Sequence, residues 1–249
     1  MELTILGRYS PFPANGGAMS GYLVRHRGTT LLLDAGNGVA ARLQQHVKIE
    51  ELTAVVISHL HEDHIGDAHC LRFMQLDALM TKRTSAKLQI YAPAEPVERL
   101  AWLEGGEDWQ ELRAYDPVQP LVLGELEIAF TRTNHPIPTY AMRIKPVGAA
   151  GPVLFYTADT GESAAVTEAA RGADLLLVEA SLTEQYASKR VFGHLTGAEA
   201  ATMGRDAGAK RVLLTHLYPG IDLAQLVREA KPVLSHIELA EEGRTYPIG

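Results

Sequence analysis

Cysteine is nearly absent from this sequence of 249 residues, in which Cys70 is the only one. A single cysteine excludes an internal disulfide and a zinc site built from several thiolates, and it suits a reducing compartment. Because Cys70 lies in an apolar stretch with helical spacing, we expect it to be a small buried apolar residue without chemical function.

The sequence also lacks a long apolar run and an excess of positive charge. No apolar run approaches the roughly 20 residues that span a bilayer, and the first residues lack the basic and apolar regions of a signal peptide. We therefore expect a cytoplasmic protein without membrane contact. The formal net charge of −7 argues against the broad basic surface typical of proteins that bind large nucleic acids.

No linker-like, repetitive or low-complexity segment interrupts the chain, so we expect one domain over residues 1–249. Apolar runs predict strands over residues 3–6, 22–26, 30–33, 52–57, 88–91, 121–131, 140–144, 153–156, 174–179, 211–214 and 234–239. Helical spacing predicts helices over 39–46, 67–82, 95–102, 163–171, 198–207 and 223–230. This order predicts an α/β fold with two mixed β-sheets packed face to face and helices outside, a four-layer αββα sandwich.

The densest group of chemically active side chains follows the β-branched run 52–57, in the segment SHLHEDHIGD that begins at Ser58. His59 and His61 are two residues apart, so in an extended segment they point the same way. Asp63 and His64 are adjacent and must diverge, which favours two neighbouring metal ions over one. Imidazole and carboxylate donors suit zinc, manganese or iron. The alternative interpretation is a solvated, histidine-rich turn.

Polar donors recur where apolar strands end, at Asp34, His59, Asp159, Glu179 and His216. Such donors converge on one rim of a sheet, where α/β proteins usually carry their sites. Four other histidines lack that placement, and we interpret them as surface or core residues: His26, His46, His69 and His236.

The pattern HLHEDH resembles the metallo-β-lactamase fold superfamily, whose other landmarks follow in order as His135 in TNHPIPTYAMRI, Asp159 in FYTADTG and His216 in VLLTHLYPG. The resemblance implies that two divalent ions, zinc first and manganese or iron as alternatives, share Asp159 and a bridging water or hydroxide. One ion would be held by His59, His61 and His135, and the other by Asp63, His64 and His216. Asp34, in LLLDAGNG, resembles the acid that orients a ligand histidine through its far ring nitrogen.

Two further motifs resemble the ribonuclease Z branch of that superfamily. They are Glu179-Ala180-Ser181 and Gly193-His194-Leu195-Thr196, in which Ser181 and Leu195 depart from the branch's threonine and serine. The resemblance implies that His194 assists the leaving oxygen while Glu179 fixes its tautomer, and that Asp63 orients the hydroxide as well as binding metal. Aspartate at position 159, where the true β-lactamases have cysteine, argues against antibiotic hydrolysis.

The long RNA-binding arm of ribonuclease Z enzymes has no counterpart here, since two predicted strands fill the interval from His135 to Asp159. The chain therefore resembles the short, armless relatives. We expect a dinuclear metal-dependent hydrolase, specifically a phosphodiesterase acting on small phosphodiester or nucleotide substrates, with large nucleic acid disfavoured. The alternatives are a lactonase or thioesterase using the same site, a tRNA 3′-end endoribonuclease, and a non-enzymatic metal-dependent binding module. A homodimer is expected from the resemblance alone.

Overall fold

The computed structural model describes residues 1–148, 150–188 and 193–249, and within them fourteen strands form two seven-stranded sheets. The first sheet contains β1 (Glu2–Gly7), β2 (Gly21–His26), β3 (Thr29–Leu33), β4 (Ala54–Val56), β5 (Leu88–Ala92), β6 (Gln110–Ala114) and β14 (Thr245–Pro247). The second contains β7 (Leu121–Leu123), β8 (Leu126–Arg132), β9 (Tyr140–Pro146), β10 (Leu154–Tyr156), β11 (Leu175–Glu179), β12 (Val212–Thr215) and β13 (Ile237–Leu239).

Eight α-helices and two single 3₁₀ turns (Ile49–Glu51 and Ala101–Leu103) connect the strands in the described residues. The helices are α1 (Val39–Leu43), α2 (Glu62–Ile65), α3 (Ala68–Met80), α4 (Val97–Leu100), α5 (Ala164–Ala169), α6 (Glu184–Ala187), α7 (Gly197–Asp206) and α8 (Leu223–Ala230). Across the described ranges, none of these helices has both the length and the apolar character needed to cross a membrane.

Each sheet is antiparallel on one side and parallel on the other. The strand orders are β14-β1-β2-β3-β4-β5-β6 and β13-β12-β11-β10-β9-β8-β7. Pairing is parallel from β3 to β6 and from β10 to β13, and antiparallel elsewhere. The predicted architecture of two mixed sheets with outer helices is confirmed.

Apolar side chains fill three layers, because successive residues of a strand point to opposite faces of its sheet. In β3, Leu31 and Leu33 pack between the two sheets, while Leu32 packs against α1 and α3. In β11, Leu177 packs between the sheets, while Leu176 packs against α5, α7 and α8. Strands buried on both faces are apolar throughout, which is why the sequence shows them as continuous apolar runs.

The structure differs from the sequence predictions in several short elements. The strand predicted over 121–131 is the hairpin β7–β8, which turns at Gly124 with a φ of +55°. Strand β6 and the three-residue strand β14 were not predicted, because β6 is largely polar and β14 is too short to show a period. The prediction that Cys70 is buried is wrong, since it lies on the exposed face of α3.

Asp67 directly precedes α3 in the N-cap position, yet its side chain makes no hydrogen bond to the start of that helix. Its Oδ2 instead accepts the backbone N–H of Ala40 at 2.8 Å, and its Oδ1 accepts the amide of Asn37 at 3.4 Å. Ala40 lies in the first turn of α1, where N–H groups have no helical partner. Asp67 therefore caps α1 and ties it to the start of α3.

Replacing Asp67 with alanine should lower the free energy of unfolding by about 1–2 kcal/mol, because it leaves the buried Ala40 N–H without an acceptor. Urea unfolding followed by circular dichroism measures the change. Asp77→Ala on the exposed side of α3 removes only an ion pair with Arg83 and should cost about 0.5 kcal/mol. Equal losses in the two variants would contradict this role of Asp67.

Candidate metal centre

The parallel strands of both sheets end at one rim, and the donors predicted from the sequence lie there. The chain turns sharply at this rim, because three residues other than glycine have positive φ: Asp34 at +58°, Ala158 at +51° and His216 at +56°. Such conformations cost about 1–3 kcal/mol each and are concentrated at functional sites. They turn the side chains following β3, β10 and β12 toward a common point.

The first group of donors contains His59, His61, His135 and Asp159. The Nδ1 of His61 lies 3.1 Å from the Nε2 of His59 and 3.1 Å from the Nε2 of His135. His59 and His61 flank Leu60 in the extended segment before α2, as their spacing predicts, and His135 comes from the loop between β8 and β9. Three ring nitrogens from two distant parts of the chain thus converge.

The second group contains Asp63, His64, Asp159 and His216. The Nε2 atoms of His64 and His216 face each other at 3.2 Å. Asp63 Oδ2 lies 3.4 Å from the Nε2 of His216 and 3.6 Å from that of His64. Asp63 and His64 both lie in α2, which begins at Glu62 and was not predicted from the sequence.

Asp159 lies between the two groups and belongs to both. Its Oδ1 is 3.0 Å from the Nε2 of His216 and 3.2 Å from that of His64, whereas its Oδ2 is 3.5 Å from the Nε2 of His59. This carboxylate is buried, and its Oδ1 accepts no hydrogen bond from the described residues. A buried carboxylate oxygen without a proton donor is costly unless a cation neutralises it.

Hydrogen bonds at the outer ring nitrogens fix the tautomers of two of these histidines. The Nδ1 of His64 lies 2.8 Å from Asp34 Oδ2, and the Nδ1 of His135 lies 3.2 Å from the carbonyl oxygen of Gly193. Carboxylate and carbonyl oxygens only accept, so both Nδ1 atoms carry the proton and both Nε2 lone pairs can face the centre. Asp34 therefore contacts a histidine of the centre in the way that the resemblance implies.

Asp34 is itself held by donors on both of its oxygens. Oδ1 accepts the backbone N–H of Ser58 at 2.7 Å, while Oδ2 accepts the hydroxyls of Ser58 at 2.8 Å and Tyr156 at 2.7 Å. The side chain is fully buried. These contacts give the buried carboxylate an orientation that it cannot change without losing several hydrogen bonds at once.

The first group of imidazoles is neutral, so its lone pairs are available to a cation. Burial is the main cause that lowers the pKa of His59 well below its ordinary value, the pKa of His61 to about 4, and the pKa of His135. Neutral imidazole is the form that binds metals.

The second group is rich in negative charge. The carboxylates of Asp159, Asp63 and Asp34 raise the pKa of His64 well above its ordinary value, against the opposing effect of burial. The nearby imidazoles in turn hold the pKa values of Asp63 and Asp159 well below theirs, although burial acts the other way. Both carboxylates are therefore ionised and together favour positive charge at this point.

The donors fit divalent cations in both chemistry and spacing. Neutral imidazole and ionised carboxylate are common ligands of zinc and its neighbours. In a tetrahedral site with bonds of 2.0–2.1 Å, donor atoms lie about 3.3 Å apart. The separations given above, 3.1 Å around His61 and 3.0–3.6 Å in the second group, bracket that value. The residues present could hold metal ions without rearrangement.

His194 lies beside this centre and is paired with a buried carboxylate. Its Nδ1 is 2.9 Å from Glu179 Oε1, and its ring stacks on that of His216 with centroids 5.4 Å apart. Glu179 raises the pKa of His194 to about 9, although burial opposes the shift. About a quarter of the side chain (24%) stays exposed, so a protonated imidazole lies beside the centre and remains accessible to solvent.

Gly193 sets the position of the segment before α7 relative to the donor groups. Its φ is +98°, and a Cβ added there would come within 2.5 Å of His135 Nδ1. Glycine therefore lets the backbone carbonyl reach His135 while the next residue, His194, turns toward His216. Neither residue spacing nor composition indicates this double contact.

Ser10 is a site residue that the sequence did not reveal. Its hydroxyl donates to Asp63 Oδ2 at 2.7 Å, and its N–H donates to the carbonyl of Leu217 at 3.2 Å. The contact with Asp63 shows that the loop containing Ser10, between β1 and β2, lies at the site. The histidines assigned to the surface or core belong to neither donor group among the described residues.

Comparison with known proteins places this geometry in a family. A family model for the beta-lactamase superfamily domain matches residues 29–217. The probable metallo-hydrolase YhfI of Bacillus subtilis (strain 168) is 34% identical over 245 residues, 98% of each chain. The crystal structure of the metallo-beta-lactamase fold protein YhfI matches with a TM-score of 0.92 at 33% identity, covering 100% of this chain and 99% of that one.

More distant matches share the architecture. Ribonuclease Z of Methanopyrus kandleri is 25% identical over 276 aligned positions, covering 98% of this chain and 96% of that one. A crystal structure of a diphosphatase from the PhnP family has the same fold, with a TM-score of 0.79 at 19% identity and coverage of 100% and 98%. The resemblance stated from HLHEDH and the later landmarks is thereby confirmed: this chain belongs to the beta-lactamase superfamily, as a metallo-hydrolase related to ribonuclease Z.

Proposed function

We propose that this protein is a phosphodiesterase that hydrolyses small phosphodiesters at a centre of two divalent cations, with zinc as the preferred metal. The Glu179–His194 pair beside the two donor groups is the observation that carries the proposal. It supplies a proton donor next to the place where an ester would be cleaved, and phosphodiester cleavage expels an oxygen that needs a proton.

His59, His61 and His135 would hold one cation, Asp63, His64 and His216 the other, and Asp159 would contact both. When bound there, two cations lower the pKa of a water and neutralise charge that develops on a phosphoryl oxygen. Asp63 would accept a hydrogen bond from the attacking water and orient it. The Ser10 hydroxyl on Asp63 Oδ2 supports this role, because it restricts rotation of the carboxylate.

His194 would act on the other side of the scissile bond. Glu179 Oε1 lies 2.9 Å from its Nδ1, so its Nε2–H is left free to donate to the departing oxygen. Glu179 is fully buried and also accepts the N–H groups of Thr160 at 3.1 Å and Leu195 at 3.2 Å. A carboxylate held this firmly keeps the imidazole in one orientation through the reaction.

We propose a small substrate rather than a long RNA. The net charge of −7 disfavours a long polyanion, whose binding depends on many Lys and Arg contacts to phosphates. The alignment with the Methanopyrus ribonuclease Z runs over 276 positions, more than the 249 residues of this chain, so that relative has insertions that this chain lacks. Between His135 and Asp159 the described residues contain strands β9 and β10 and no protruding arm.

Metal content and metal dependence test the centre itself. We expect about two equivalents of zinc per chain in protein prepared without added metal, and a loss of activity of about a hundredfold or more after chelation. Asp159→Asn should lower the bound metal and abolish turnover, because it removes the negative charge between the two donor groups. Elemental analysis with a phosphodiester assay measures both. Full activity in metal-free protein would contradict the proposal.

The dependence of the rate on the leaving group tests His194. His194→Ala should slow cleavage of an alkyl phosphodiester by about 10²–10⁴-fold, because an alkoxide requires a proton. Cleavage of bis(p-nitrophenyl) phosphate should change far less, since nitrophenolate leaves as a stable anion. The matched control is His236→Ala at an exposed position, which should leave both rates unchanged. Equal losses on the two substrates would show that His194 is no proton donor.

A substrate panel separates phosphodiesterase activity from acyl hydrolysis. A lactone or thioester could react at the same centre, but its hydrolysis does not require the Glu179–His194 pair. We expect turnover of bis(p-nitrophenyl) phosphate by the wild type to exceed turnover of a lactone and a thioester. Turnover of the carbonyl substrates alone, lost in Asp159→Asn, would replace the proposed function by an acyl hydrolase.

A further inference from the structure

Two buried serines connect two histidines of the centre to the carboxylates of Asp34 and Glu179. Ser58 follows β4 and Ser181 follows β11, and their exposed fractions are 0% and 6%. The hydroxyl of each lies between the Nδ1 of a histidine and a carboxylate oxygen. Neither serine belongs to the proposed cation ligands.

Ser58 connects His59 to Asp34. Its Oγ is 2.8 Å from Asp34 Oδ2 and 3.0 Å from His59 Nδ1. A hydroxyl has one proton, and an ionised carboxylate is a stronger acceptor than a neutral imidazole. The serine therefore donates to Asp34 and accepts from Nδ1–H, which leaves the Nε2 lone pair of His59 facing the first donor group.

Ser181 connects His216 to Glu179 in the same way. Its Oγ is 3.1 Å from Glu179 Oε2 and 2.9 Å from His216 Nδ1. The carbonyl oxygen of His216 is a second acceptor within 2.9 Å. Glu179 Oε2 and the His216 carbonyl oxygen can only accept, so the hydroxyl donates its proton to one of them. The hydroxyl oxygen then accepts a hydrogen bond from the Nδ1–H of His216. The Nε2 of His216 is then free to face the second donor group.

The two arrangements are equivalent, one in each sheet. Asp34 holds His64 directly at 2.8 Å and His59 through Ser58. Glu179 holds His194 directly at 2.9 Å and His216 through Ser181. Each carboxylate thus orients two imidazoles, of which one is contacted through a hydroxyl.

We propose that Ser58 and Ser181 are positioning residues with separate targets: Ser58 sets the cation affinity of the group containing His59, and Ser181 that of the group containing His216. This inference rests on the proposed metal centre. Loss of such an outer contact typically lowers metal affinity by about 10–100-fold. Because each hydroxyl contacts one ligand histidine, each loss should be confined to one donor group.

Variants that lack one ligand histidine allow the cation affinity of each donor group to be measured separately. His216→Ala leaves His59, His61 and His135 as the intact group, and His135→Ala leaves Asp63, His64 and His216. Zinc affinity is then measured by competition with a chromogenic chelator, and the ligand field by the visible absorption of cobalt-loaded protein. Neither readout requires catalytic turnover.

We expect Ser58→Ala to weaken zinc binding by about 10–100-fold in the His216→Ala background, whereas Ser181→Ala should change it less than about threefold. The pattern should reverse in the His135→Ala background. Ser181→Thr, which keeps a hydroxyl, should restore affinity and the cobalt spectrum to those of the parent. Thermal unfolding in the presence of a chelator identifies any variant that fails to fold.

The outcomes distinguish this inference from the proposed function. Zinc binding by the wild type, combined with equal effects of both serines in both backgrounds or with no effect of either, would overturn the inference alone. Failure of Ser181→Thr to restore affinity, in a variant that unfolds at the parent's temperature, would show that the hydroxyl is not the cause. A wild type that binds no divalent cation would overturn the proposed function, and the inference with it.

Discussion

The structure depends on one unfavourable arrangement, a buried carboxylate surrounded by inward-facing ring nitrogens of histidines. Asp159 is 2% exposed, and His59, His64 and His216 approach it with Nε2 atoms 3.0–3.5 Å away. Lone pairs and ionised oxygens repel one another unless protons or cations lie between them. A fold that holds them together therefore stores electrostatic energy that a divalent cation would release.

The outer contacts of the imidazoles keep this arrangement from collapsing. The four histidines whose Nε2 atoms lie within 4 Å of Asp159 each have a partner at Nδ1. These partners are Asp34 for His64, Ser58 for His59, Ser181 for His216 and the Gly193 carbonyl for His135. Leaving one buried donor unpaired costs about 1–3 kcal/mol, so rotating any of these rings is unfavourable. The same contacts decide which nitrogen faces inward.

The two sheets supply these partners in matching positions. Asp34 and Ser58 follow the parallel strands β3 and β4, and Glu179 and Ser181 lie at the end of β11, beside β12, which ends at His216. The wide apolar layers behind both sheets stabilise the fold against the cost of the strained turns at the rim. Glu179, in the second sheet, has an additional role, since it also orients His194, which is not a predicted cation ligand.

Much of this could be predicted from the sequence, for physical reasons. Strands buried on both faces are continuous apolar runs, so most strands of the two sheets can be predicted from the sequence. The HLHEDH segment, together with the later landmarks, indicates which distant residues meet. The largely polar β6 and the three-residue β14 show no period, and α2 has only four residues, which overlap the HLHEDH segment. Ser10 could not be found, because its role depends on where a loop of proline and glycine residues crosses the rim.

The most direct test of the account is anomalous diffraction at the zinc edge from crystals of protein grown with zinc. Two peaks should appear on either side of Asp159, one contacting His59, His61 and His135, and the other contacting Asp63, His64 and His216. Crystals with no peak at this rim, or with zinc bound away from Asp159, would contradict the claim that the fold is built around a pair of cations.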